Sequence, residues 1–409
     1  MSPASDNEAF VIDVARALHA YGQPAHRIEA LLAALGTKLG TDGQYFSTPT
    51  AVFVAFGTPP EQRTYLVRSE AGEQDLGKLA DLDALVNAVA RGELDATTGS
   101  GRLHAIVTRS SRERPWVPLV VHPFVAAPAA LLLGGGPLEA LVSGGIGLLV
   151  GMLEQWAERA EPIARLHLLL GSVVASVAAS LAGLFLPDLL IQLSTVAGIY
   201  MLMPGLALTT AMNEVATGHL VSGTARFAGA LVSFLQVAVG VSLGGVLVVS
   251  LAPHAQAFLP APVPVRAAFW PFVGLLVALP AVMVLLHAPR RDAWATVLVA
   301  TSAFSAGQLC TPLLDDGLGP SLAATVSALV LGLGSNAFAR LSDRPAALVM
   351  VPGILLLVPG TMGFRSVASF LRRDVVAAVD TAFAVGLVAG ALVTGLLVAN
   401  LVLPPRKAL

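Results

Sequence analysis

The spacing of apolar and polar positions changes once along this chain, near residue 115, and divides it into two kinds of structure. Before that point, apolar residues recur among charged ones. Phe10, Val14, Leu18 and Tyr21 share one face of a helix over 8–21, which Gly22 ends. Pro24 opens a second helix with Ile28, Leu31, Leu32, Leu35 and Leu39 inward. Residues 45–56 read as one buried strand, 57–62 as a turn and 63–69 as a second strand. Helices over about 77–91 and 93–107 complete a small α+β domain.

From Trp116 to Leu403 the pattern becomes a succession of apolar runs, each near the ~20 residues that cross a ~30 Å hydrocarbon core. Spans are predicted at 117–133, 137–153, 166–186, 189–211, 222–251, 267–287, 293–312, 318–339, 346–364 and 375–403. Leu153–Arg165, where charges alternate with Trp156 and Ile163, predicts an interfacial helix. The expected fold class is an all-α polytopic membrane protein of about ten transmembrane helices with a small N-terminal α+β soluble domain. Its divisions are 1–115 (soluble domain), 116–260 (first five-helix membrane repeat) and 261–409 (second five-helix membrane repeat).

The repeat is visible in the residues. The segment 191–205, ending Met203-Pro-Gly205, returns at an offset of 155 as 346–360, ending Val358-Pro-Gly360, with seven of fifteen positions identical. Residues 223–232 pair with 379–388 at an offset of 156. Because each half holds an odd number of spans, the second copy enters the membrane from the opposite side, which is an inverted repeat. An even number per half would make the repeats parallel. With the N-terminus inside, the inner loops carry twelve basic residues and the outer loops four, which predicts both termini in the cytoplasm. Three of those four, Arg365, Arg372 and Arg373, fall in one connection.

Composition narrows the classes. The 409 residues are 55% hydrophobic and 12% charged, where a soluble chain carries about 25% charge. Mean hydropathy is +0.76. A net charge of −2 without a basic stripe argues against a nucleic-acid partner. Cys310 is the single cysteine, so neither an internal disulfide nor a thiolate metal site is expected, and no metal or cofactor is predicted. Met1–Glu8 is polar and slightly acidic, unlike a cleaved signal, so a multi-pass protein of the cell membrane with its soluble domain in the cytoplasm is expected.

A substrate path needs polar groups where the helices break. Pro204-Gly205 and Pro359-Gly360 are the duplicated breakers, each able to free carbonyls and expose a half-helix N-terminus. Thr195, Thr209 and Thr361 lie around them. Charges within spans cost about 2.5–3.5 kcal/mol on insertion scales, so Glu214, Arg226 and Asp380 each need a reason. Glu214 follows Asn213 at a helix end, and Arg226 is placed to face it as a gate or a carboxylate-binding pair. The plainer readings are a proline kink, a solvated helix end, an inner-face anchor and an interfacial aspartate.

Three stretches also carry a family likeness. They are Gly22-Gln-Pro-Ala-His-Arg-Ile-Glu29 with Thr48-Pro-Thr50, then Pro204–Glu214 with Gly223-Thr-Ala-Arg226, and then Val351-Pro-Gly353 with Val358-Pro-Gly360. In these the chain resembles the threonine/serine exporter family in its fused two-half form. The resemblance implies export of threonine and serine driven by the proton motive force, with protons, the lipid bilayer and a small-molecule substrate as partners. A homo-oligomer is compatible with it. Split relatives resemble exporters of dicarboxylates such as succinate, which is the alternative substrate class. His26 and Glu29, three apart on one helix, admit a membrane-anchored hydrolase as a weaker reading, but no nucleophile or metal motif accompanies them. The motif His26, Arg27, Glu29 is more simply a polar cluster that docks the soluble domain onto the transporter. A passive channel is the remaining reading.

Overall fold

The computed structural model describes residues 5–69, 74–109, 116–157, 159, 165–251, 269–310, 319–357 and 375–405. The N-terminal α+β part begins with α1 (Asp6–Ala20), opened by a reciprocal capping box between Ser5 and Glu8, and α2 (Ala25–Leu39), entered through Pro24. A meander follows of β1 (Gly43–Thr48), β2 (Ala51–Phe56) and β3 (Arg63–Arg68), antiparallel in the order β1-β2-β3. The run read as one strand over 45–56 is therefore two. Thr48 pairs with Ala51, so Pro49 and Thr50 form a two-residue hairpin loop. Helices α3 (Leu76–Ala90) and α4 (Ala96–Thr108) are N-capped by Asp75 and Asp95.

The apolar part comprises α5 (Val117–Leu132), α6 (Pro137–Ala157), α7 (His167–Phe185), α8 (Ile191–Gly198), α9 (Gly205–Ala216), α10 (Leu220–Leu251), α11 (Trp270–Leu285), α12 (Ala293–Cys310), α13 (Gly319–Ser342), α14 (Ala347–Leu357) and α15 (Val375–Val402). Among the described residues, six helices are long and apolar enough to cross a membrane, and α8 with α9 makes a seventh if the bent pair is one span. Shorter apolar helices occupy the first, sixth and ninth expected positions. The interfacial helix expected over 153–165 begins instead as the continuous end of α6, which runs to Ala157.

Close helix contacts of the same kind occur on both sides of residue 260. Gly240 of α10 sits so close to α7 that a Cβ there would lie 2.5 Å from the Leu169 carbonyl and 2.8 Å from Ser172 Cβ. Gly395 of α15, 155 residues later, is held the same way against the Thr325 carbonyl and Ala328 of α13. Ser143 of α6 bonds the Ser194 carbonyl of α8, and Thr296 of α12 bonds the Leu348 carbonyl of α14. Ser176 bonds Val241 across α7 and α10, and Asn336 bonds Asn400 across α13 and α15. Small residues and cross-helix hydrogen bonds of this kind let membrane helices approach without a hydrophobic drive between them.

The N-terminal α+β part packs on one end of the helices. A single apolar core runs from Phe10, Leu18 and Leu32 through Leu79 and Leu82 to Val121, Leu279 and Leu348. The Leu76 amide donates to the Leu286 carbonyl at 2.9 Å, tying α3 to the end of α11. Arg344, before α14, pairs with Asp292, before α12, at the same end.

Candidate functional site

The fourth expected span is broken. Helix α8 ends at Gly198, a 3-10 turn covers Tyr200–Leu202, and α9 restarts at Gly205 with Pro204 as its N-cap, bent 59° from α8. Proline at this position cannot donate to the preceding turn, so the helix restarts at Gly205, whose N–H donates to the Met203 carbonyl at 2.8 Å. Buried hydroxyls flank the bend. Thr195 bonds back to the Ile191 carbonyl at 2.9 Å, whereas Ser194 Oγ and Thr209 Oγ1 are buried without a hydrogen-bond partner. The second copy, Pro359-Gly360 with Thr361, lies outside the described residues, as do Arg365, Arg372 and Arg373. Helix α14 is described to Leu357 and runs unbroken through Pro352.

At the far end of α9 the chain turns into α10, and this corner meets the soluble domain. Glu214 is fully buried, with both oxygens occupied. Arg226 Nε donates to Oε2 at 3.1 Å and a guanidinium nitrogen donates to Oε1 at 3.3 Å. The backbone N–H of Ala25, at the start of α2, also donates to Oε1 at 2.9 Å. The carboxylate thus caps a helix from another domain, where an N-terminal dipole favours negative charge. Beside it, His219 Nε2 lies 3.2 Å from Glu29 Oε2, while Glu29 Oε1 accepts from the Ser47 amide at 2.8 Å. Ser222 Oγ donates to the Ser47 carbonyl at 2.7 Å.

His26 completes the corner. Its Nε2 is 3.5 Å from Asn213 Nδ2, and its ring centroid is 6.0 Å from that of His219. Burial first, then the charge of Arg27 and the proximity of His219, push its pKa down to about 3, so the ring is neutral. Burial also lowers the pKa of Arg27. Asp380 is elsewhere, exposed in the first turns of α15.

A sequence profile described as "Putative threonine/serine exporter" matches residues 9–248, more than half of the chain. The chain belongs to the threonine/serine exporter family. A second profile, "Threonine/Serine exporter, ThrE", matches residues 272–402. Curated relatives named pheromone-regulated membrane protein 10 are more distant. That of Pichia sorbitophila is 25% identical over 60% of this chain and 25% of its own length. That of Eremothecium gossypii is 23% identical over 87% of this chain and 48% of its own. That of Saccharomyces cerevisiae is 27% identical over 58% and 31% respectively. The chain thus spans about half or less of the length of these relatives. No solved structure matches.

Two of the three family-like stretches meet in space. The Gly22–Glu29 segment, the hairpin that follows Ser47, and the Glu214–Arg226 corner form one interface. Sequence reading proposed each stretch separately and placed Arg226 opposite Glu214, but had no signal for the Ala25 amide, Ser47 or His219. The family is one of membrane exporters rather than enzymes. Among the described residues, no group of three or more His, Cys, Asp or Glu side chains is arranged to hold a metal.

Proposed function

We propose that this protein is a secondary transporter that exports small polar amino acids, threonine and serine, from the cytoplasm at the expense of the proton motive force. The observation that carries this reading beyond family membership is the bend between α8 and α9. A helix broken before Gly205, with unpartnered buried hydroxyls at Ser194 and Thr209 on either side of the bend, suits a zwitterion with a hydroxyl of its own. The substrate carboxylate faces the α9 N-terminus and the hydroxyls orient it.

The ten expected helices act as an inverted repeat. In support, the two copies of the repeated segment present opposite ends to the soluble domain. The first touches it through Glu214, after its Pro-Gly, and the second through the start of α14, before its Pro-Gly. The soluble domain lies on the cytoplasmic side with Glu214, Leu286 and Arg344. Glu214 and Arg226, tied to α2, serve as the inner gate of the path, and the gate opens when the corner parts from α2. Glu214, released from Arg226 in the open state, or Asp380 then exchanges the coupling proton.

Reconstituted protein loaded with labelled threonine tests this. Uphill efflux that follows an imposed proton gradient and collapses with an uncoupler is expected. Glu214→Gln or Asp380→Asn uncouples it. Wild-type flux indifferent to the gradient excludes the proton-driven reading.

A further inference from the structure

Two hydrogen-bond donors at the start of α2 have no protein partner among the described residues. At the same interface Glu214 is paired with Arg226, and Glu29 has hydrogen-bond partners in His219 and the Ser47 amide. Among the described residues Arg27 makes no hydrogen bond or ion pair, and it is partly exposed rather than buried. Its neighbour His26 is neutral. With Nε2 turned to the Asn213 amide, the ring proton rests on Nδ1, which is buried without a partner. A partly exposed, unpaired guanidinium beside a buried, unpartnered ring nitrogen is an arrangement that an anion completes.

The same place leads to the broken helix. Gly205, Thr209 and Asn213 are spaced four apart and line one face of α9. Asn213 touches His26 at one end, Thr209 carries an unpartnered hydroxyl in the middle, and Gly205 opens the half-helix at the other.

The geometry points to a carboxylate-binding site built by the soluble domain itself. Arg27 grips the carboxylate with its planar fork, His26 Nδ1–H supplies a further donor, and the Gly205–Thr209–Asn213 face leads the ligand on to the bend. Arg27, rather than the already paired Arg226, is thus the first cation a substrate meets. The identity of the ligand as an exported amino acid rests on the exporter reading above. The existence of a carboxylate site does not.

The test uses the purified full-length protein and four ligands: threonine, succinate, acetate, and the amino alcohol of threonine, which lacks the carboxylate. Thermal stabilisation by the three carboxylates, and none by the amino alcohol, is expected. Arg27→Gln weakens apparent carboxylate affinity by roughly 10- to 100-fold, the loss of a hydrogen-bonded charge, and Arg27→Lys retains part of it. Without ligand, Arg27→Gln melts no lower than wild type, because it removes a charge that nothing in the chain matches. A merely structural arginine would lower it. In proteoliposomes, Arg27→Gln raises KM for threonine and leaves the maximal rate intact. A wild-type protein that no carboxylate stabilises, or an Arg27→Gln variant that binds as wild type does, overturns the proposal. Arg27-dependent carboxylate binding without any threonine flux would instead leave the site standing and remove the exporter reading. Preference for succinate over threonine would move the substrate to dicarboxylates.

Discussion

The hydroxyl of Tyr200 donates to the carbonyl of Leu355 at 3.1 Å, and the two residues are 155 positions apart. That separation equals the offset of the repeated segment, so Tyr200 meets its own counterpart in the second copy. The bond joins the 3-10 turn before α9 to the last turn of α14.

Tyr200→Phe keeps the ring and deletes this bond. A loss of about 0.5–1.5 kcal/mol is expected, read as a lower melting temperature in detergent. If the bond holds the two breaks in register, the same variant changes the maximal transport rate more than KM. An unchanged melt and an unchanged rate would reduce the contact to coincidence.

The Glu214–Arg226 pair is buried on one side, with Arg226 20% exposed and Glu214 fully enclosed. Removing the cation leaves a buried carboxylate held only by the Ala25 amide, so Arg226→Leu should destabilise by roughly 3–5 kcal/mol. Glu214→Gln should cost less, because its amide oxygen still accepts from Ala25. Hydrogen exchange localises the effect. Amides of the first turn of α2 exchange faster in both variants, while β2 and the core of α1 remain protected. Uniform acceleration across the soluble domain would contradict a role confined to the corner.

His26 makes the stability of this corner depend on pH. Its pKa falls from the ordinary 6.5 to about 3 in the folded state. Between those values the unfolded chain binds the extra proton and the folded chain does not, so stability rises with pH across that window. The contribution is complete above about pH 6.5 and is lost as pH falls toward 3. Arg27, His219 and Glu29 are the charged or titratable groups around the ring and its helix. His26→Gln, which still meets Asn213, should flatten the fall in melting temperature between pH 7 and pH 5. An unaltered slope would place the pH sensitivity elsewhere.

Close approach of the helices makes a matched prediction for the two halves. Gly240→Ala pushes a methyl group against the Leu169 carbonyl, and Gly395→Ala pushes one against that of Thr325. Each should cost about 1–3 kcal/mol by overpacking. Gly229→Ala, whose Cβ would meet nothing within 4 Å, is the control. Detergent melts that fall for the first two and not for the third bear this out.

Much of this was legible in the residues because membrane helices announce themselves by length. The long apolar runs and the duplicated Pro-Gly needed no partner to be read. Glu214 and Arg226 were visible as a pair because twelve residues and one corner separate them. The Ala25 amide that also holds Glu214 lies 189 residues away, and no periodicity links backbone donors at such distance. Pro49-Thr50 was missed as a turn because apolar strand residues continue beyond it, so the pattern read as one strand. The role of Arg27 was hidden for another reason. An arginine reads the same in sequence whether it is paired or alone, and only the folded interface shows Arg27 without a partner among the described residues.

Orientation can be settled with one chemistry, because Cys310 is the single cysteine and Cys310→Ser gives a thiol-free background. New cysteines at Thr217, Arg290 and Ser342 sit at the end of the helices that carries the soluble domain, and Asp188 precedes α8 at the opposite end. In whole cells a membrane-impermeant maleimide should label Asp188→Cys alone, and the other three should react only after the membrane is opened. That outcome fixes the soluble domain, the Glu214 corner and Arg27 on the cytoplasmic face, where an exporter must first meet its cargo. Labelling of Thr217→Cys from outside would turn the molecule over and make its inner gate an outer one.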